Sequence, residues 1–146
     1  MIAPGALKAH SRYMSCKNEN KLVAIVDDDD AVRGTLKELL RSAGYASQTF
    51  ESAEDFLGSG HQQETACLIT DIRMPGMSGL ELQARLNAER CRIPTIFITA
   101  HGDEQMRFQA LRAGAVEFLP KPFDDDVLIE SVRAALNRYV QKEGTR

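Results

Sequence analysis

A chain of 146 residues, 43% hydrophobic and 27% charged, is long enough to bury one substantial core and too short for two ordinary domains. Its formal charge of −3 argues against nucleic-acid binding by the whole chain, which draws on a dominant basic patch, and no run approaches the roughly 20 apolar residues of a membrane span. Cys16, Cys67 and Cys91 are odd in number and far apart, which fits reduced thiols in a cytoplasmic protein and neither a disulfide framework nor a zinc site.

Residues 1–20 carry Lys8, Arg12 and Lys17 against Glu19, with few large apolar side chains and no period, and are expected to form a flexible N-terminal tail. The unbroken apolar run at 22–26 (LVAIV) suits a strand buried on both faces of a parallel sheet. Four aspartates, Asp27 to Asp30, follow it directly. Val32, Leu36, Leu39, Leu40 and Ala43 then keep a helical stripe, with Gly44 placed to end it. Run 46–50 (ASQTF) alternates and suits an edge strand, and a short helix is expected over 52–58 between Ser52 as cap and Gly58 as stop. Runs 66–70 (ACLIT) and 93–98 (IPTIFI) lack strict alternation and predict two more buried strands, with a helix over 79–89 between them. A helix over 103–113 stops at Gly114, a fifth strand is expected at 115–119, and Leu128, Val132, Ala135, Leu136 and Tyr139 share one face of a last helix. The folded domain is expected over 21–142, with 143–146 as a C-terminal tail.

Strands alternating with helices define an α/β domain, whose right-handed crossovers put helices on both faces of a parallel sheet. Ligands in such sheets bind at the carboxyl ends of the strands. Those ends bring Asp27 and Asp28, Asp71, Thr99 and Lys121 to one rim, although the chain separates the first from the last by 94 positions. Clustered carboxylates suit a hard divalent cation such as Mg²⁺, which takes a few carboxylates together with waters and phosphoryl oxygens. With that cation present one carboxylate can attack a phosphoryl group and become an acyl phosphate. The hydroxyl and the ammonium are then available to its oxygens. Asp29 and Asp30 suit the N-terminus of a helix, with Asp30 as the cap.

The stretches "VAIVDDDDAVR", "LITDIRMPGMSGLEL", "IPTIFITAHGD" and "AGAVEFLPKPF", in this order and spacing, resemble the receiver domains of two-component response regulators, within them the FixJ-like branch. The resemblance covers residues 22 to about 140. It implies a flavodoxin-like, CheY-like (βα)5 fold, a doubly wound parallel sheet of order 2-1-3-4-5. It further implies that Asp71 is the phosphoacceptor for a sensor histidine kinase. Asp28 would ligate Mg²⁺ directly, Asp27 largely through water, and the backbone carbonyl of Arg73 would join them. Thr99 and Lys121 would bind the phosphoryl oxygens, Phe118 would be the aromatic switch that follows Thr99, and the Lys121–Pro122 bond would be cis. Arg73 and His101, two residues past Asp71 and Thr99, would flank the phosphoryl group and tune its lifetime.

The FixJ-like branch also implies a phosphorylation-dependent homodimer through the face of the fourth helix and fifth strand, and a transcriptional output. After the last helix the sequence leaves no room for a DNA-binding module, so no direct nucleic-acid contact by this chain is expected. A receiver belonging to a longer regulator and a stand-alone receiver acting by protein contacts are the two readings. A Mg²⁺-dependent aspartyl phosphatase uses similar carboxylates but wants a second acid two residues past its nucleophile, where this chain has Arg73.

Overall fold

The structure is a computed structural model that describes residues 21–100 and 102–144. The expected tail at 1–20, with Cys16, lies outside the described residues. Five strands, β1 (Leu22–Val26), β2 (Ala46–Phe50), β3 (Thr65–Thr70), β4 (Thr95–Thr99) and β5 (Glu117–Pro120), form one sheet of order β2-β1-β3-β4-β5. Every pairing is parallel. Among the described residues five α-helices alternate with them: α1 (Asp30–Ser42), α2 (Ala53–Ser59), α3 (Gly79–Ala88), α4 (Glu104–Arg112) and α5 (Asp125–Gly144). A 3-10 turn at Gln62–Glu64, which the sequence pattern gave no sign of, leads into β3.

Successive side chains of a strand point to opposite faces, and this assigns the core. Val23 and Ile25 of β1 join Cys67 and Ile69 of β3, Ile96 and Ile98 of β4, and the buried stripes Leu36 and Leu40 of α1 and Leu128, Val132 and Leu136 of α5. Ala24, Val26 and Leu68 face the other way, onto Phe56 of α2 and Leu82 and Leu86 of α3. Burying a Leu, Ile or Phe side chain contributes about 1.5–3 kcal/mol, so two such layers hold the rim of strand ends rigidly. β2 lies at a sheet edge and alternates exposed with half-buried residues over 46–49 before the buried Phe50.

Several boundaries differ from those expected. The cap of α1 is Asp29 and not Asp30: Asp29 is extended at φ −92° and ψ 114°, and its carboxylate accepts from the amides of Ala31 and Val32. Helix α2 passes through Gly58 and ends at Gly60, which takes the left-handed conformation with φ +80° that glycine adopts without penalty. β3 begins at Thr65, and β4 begins at Thr95 rather than 93, since Pro94 has no amide to give and contributes only its carbonyl, to the Leu68 N–H. β5 starts at Glu117, with Ala115 and Val116 leading in, and α5 continues past residue 142 to Gly144.

Cys67 is fully buried, and loss of hydration pushes its thiol up to about 12. The reactive thiolate is therefore disfavoured as long as the protein stays folded. Iodoacetamide on the folded protein is expected to spare Cys67 until denaturant is added, and to label the half-buried Cys91 first. Peptide mass mapping checks this, and equal labelling of the two in the native state would contradict it.

Candidate functional site

The carboxyl ends of β1, β3, β4 and β5 meet at one rim, and the candidate residues occupy it. Asp27 is buried just past β1, Asp28 beside it is exposed, and Asp71 is buried just past β3. Carboxylate oxygens of the three lie within 4.8 Å of one another. Opposite oxygens around an octahedral Mg²⁺ stand about 4.2 Å apart, so these side chains span the right distance for such an ion. Arg73 is exposed on the loop that follows Asp71.

Lys121 supplies the positive charge that the structure itself places there. Its Nζ lies 2.9 Å from Asp27 Oδ2 and 2.9 Å from Asp71 Oδ2, bridging two buried acids from strands β1 and β3. Burial works against the Lys121 ammonium, but hydrogen bonds to Asp71 and Asp27 outweigh it and hold the group above its ordinary range. Asp27 is affected in the other direction. Burial raises its carboxyl, and the Asp29 amide, 2.8 Å from Oδ1, and Lys121 only partly offset that. A buried acid that remains costly to ionise beside its own lysine is a group whose anion calls for more positive charge.

Asp71 is held at both oxygens. Oδ1 accepts from the Ile72 amide at 2.6 Å and Oδ2 from Lys121, while the Thr70 hydroxyl donates to the Asp71 carbonyl at 2.9 Å. Thr99 is buried at the end of β4, and its carbonyl accepts from the Lys121 amide at 3.0 Å, so the hydroxyl and the ammonium rise from adjacent strands. Phe118 is half-buried in β5, in register with Phe97 and 6.3 Å from it between ring centroids. The Lys121–Pro122 peptide is cis. The structure thus gathers Asp27, Asp28, Asp71, Thr99 and Lys121, with Phe118 behind Thr99. His101 lies outside the described residues.

Three supporting residues were not singled out by the sequence pattern. Arg33 of α1 reaches back with one guanidinium nitrogen to the Asp27 carbonyl at 2.7 Å and with another to Asp30 at 2.8 Å, fixing the turn that presents Asp27 and Asp28. Gly79 opens α3 so close to the preceding loop that a Cβ there would stand 2.1 Å from the Asp71 carbonyl oxygen. At Gly102 a Cβ would come 2.6 Å from the Phe118 ring and 2.9 Å from the Thr99 methyl. The "DAVR" spacing was a usable signal for Arg33, since a helix places it over the turn before it. Close backbone approach at Gly79 and Gly102 leaves no mark in a periodicity.

Comparison with known proteins agrees with this geometry. Residues 23–133 match the family model described as the response regulator receiver domain. The chain is 45% identical over 124 residues to the transcriptional regulatory protein FixJ of Azorhizobium caulinodans, covering 85% of this chain and 59% of that one. It is 41% identical over 141 residues to the response regulator protein TodT of Pseudomonas putida, covering 97% and 62%. It therefore spans about three-fifths of the length of these curated relatives. Among solved structures it is similar to the response regulator StyR, with 46% identity and a TM-score of 0.82 over 87% of this chain and 64% of that one. The N-terminal part of FixJ matches with 42% identity and a TM-score of 0.73, over 82% and 95%. The sheet order, the acidic rim and these similarities agree that the chain belongs to the family of response regulator receiver domains, the phospho-accepting domains of two-component signalling, and resembles its FixJ-like members.

Proposed function

We propose that Asp71 accepts a phosphoryl group from a sensor histidine kinase and that the surrounding residues convert this event into a change of surface. The observation that carries the reading is the Lys121 bridge between two buried acids, Asp27 and Asp71. Asp27, Asp28, Asp71 and the Arg73 carbonyl would hold Mg²⁺, which when bound supplies the positive charge that lets a phosphoryl donor approach an acidic pocket.

The Ile72 amide holds Oδ1, so Oδ2 is the oxygen free to attack once Lys121 turns toward a phosphoryl oxygen. The new P–O bond forms as the donor's P–N bond breaks, and the Lys121 ammonium stays paired throughout, first with carboxylate and then with phosphoryl oxygen. Thr99 donates its hydroxyl to a second phosphoryl oxygen. Phe118 then follows Thr99, changing the face that α4 and β5 present. Phe108 on α4 is 63% exposed, an apolar side chain suited to a phosphorylation-dependent homodimer through that face. Arg73, exposed on the loop after Asp71, would tune the lifetime of the phosphoryl group, a role that sequence position alone also assigns to His101. The output is transcriptional control through a regulator of which this chain is the receiver, acting in the cytoplasm.

Incubation with acetyl phosphate and Mg²⁺ is expected to add one phosphoryl group to the peptide that contains Asp71, a product that does not form when Mg²⁺ is chelated beforehand and is absent in Asp71→Asn. A modification that survives the Asp71→Asn substitution, or none in the wild type, would reject the assignment.

A further inference from the structure

Helix α2 lies outside the rim and contributes nothing to the acidic cluster, yet one of its side chains reaches the loop that follows Asp71. The Met77 amide donates to Glu54 Oε2 at 2.9 Å, across 23 positions of sequence. The preceding residue, Gly76, has φ +80°, and a Cβ there would stand 2.6 Å from the same carboxylate oxygen. The turn therefore presses its bare backbone onto Glu54. Among the described residues this is the one hydrogen bond made by the stretch 73–77. The two ends of the loop are fixed separately. Near Asp71 the Ile72 amide holds Oδ1 and the Ile72 carbonyl accepts from Gly79, while Ser78 and Glu81 close a reciprocal cap at the start of α3. Met74 and Met77 rest on the core cluster that contains Phe56, two residues along α2 from Glu54.

We infer that Glu54 is a positioning residue for the cation site, a latch from α2 that holds the Pro75–Met77 turn and through it the backbone of Arg73. The inference rests on the proposed role of the Arg73 carbonyl as a ligand. A loop carbonyl binds a cation well only where its direction is set beforehand, because an ion that must also order the loop binds more weakly. Glu54 sets that direction by accepting a charge-assisted hydrogen bond at mid-loop, and the missing side chain at Gly76 lets the turn come close enough to be held. The signal was absent from sequence periodicity, since Glu54 stands in the first turn of α2, where an acidic residue already has a reason to be.

The test compares Glu54→Ala with Glu54→Gln, whose amide oxygen still accepts from Met77 but carries no charge. Titration of each protein with Mg²⁺, followed by NMR, is expected to show binding weakened about fivefold in Glu54→Ala, the loss expected for one ordinary hydrogen bond. Glu54→Gln is expected to stay within about twofold of wild type. The Met77 amide should exchange with solvent at least about tenfold faster in Glu54→Ala alone, a readout independent of the metal. Wild-type Mg²⁺ affinity in Glu54→Ala overturns the latch, as does an equal loss in both variants, which would make Glu54 merely a nearby negative charge. A wild-type protein that takes up no Mg²⁺ overturns the receiver site and the latch together, which separates the two failures.

Discussion

Gly79→Ala is expected to lower stability by about 2–3 kcal/mol and the rate of Asp71 phosphorylation by more than about tenfold. An alanine Cβ would meet the Asp71 carbonyl oxygen at 2.1 Å, the Asp71 carbonyl carbon at 3.0 Å and Ile72 Cα at 3.1 Å. All three belong to backbone, so no side chain can swing away, and either α3 or the loop must shift. The loop is the weaker of the two, because α3 is anchored by buried Leu82 and Leu86 and by the Ser78–Glu81 cap. Movement of Ile72 draws its amide from Asp71 Oδ1 and re-aims the attacking carboxylate. A melt by circular dichroism is expected to fall by roughly 6–10 °C for a domain of this size, alongside slower labelling by acetyl phosphate. A variant that melts and labels like wild type would show that the close approach is not a constraint.

The second large effect is at Asp27. Asp27→Asn is expected to weaken Mg²⁺ binding by about 10- to 100-fold while leaving the metal-free domain at least as stable as wild type. The folded carboxyl lies above its ordinary value of 3.8, raised chiefly by burial, so the folded state holds a proton that the unfolded state has released. Metal-free wild type therefore loses stability as pH climbs from 3.8 to the folded value, and stays at the lower level above it. Asparagine cannot ionise and escapes that loss. The melting temperature of Asp27→Asn relative to wild type should thus rise across this window and level off toward neutral pH. Saturating Mg²⁺ should reverse the order, because wild type gains binding free energy that the variant lacks. Melts of both proteins across pH, with Mg²⁺ and with chelator, check both signs. A metal-free variant that is markedly less stable at pH 7 would show that the Lys121 pair outweighs the burial of charge.

The main outline of the site was legible because it follows from sheet type. A strand without alternation implies burial on both faces, burial on both faces implies a parallel sheet, and a parallel sheet sends every strand end to the same rim. Asp27, Asp71, Thr99 and Lys121 needed only that reasoning to be placed together. Offsets of one or two residues were harder to read. Asp29 and Asp30 have the same chemistry, and only the extended backbone of Asp29 makes it the cap. Gly58 and Gly60 compete to end α2, and the left-handed turn at Gly60 decides. Residues that act across the fold were not legible. Arg33 touches a backbone carbonyl, Glu54 a backbone amide, and Gly79 acts through what it lacks. Such contacts depend on how the backbone of one element meets another, which side-chain type alone does not encode.

The lysine bridge also sets the size of the electrical step that the domain can take. Three carboxylates and one ammonium leave the pocket at a formal charge of −2. In the proposed cycle a divalent ion would bring that sum to zero, and conversion of the Asp71 carboxylate to an acyl phosphate would bring it to −1. Each state differs from its neighbour by no more than two charges, and the lysine is common to all of them. A domain that worked through this cycle would pass through no state in which its buried acids lack a cation beside them.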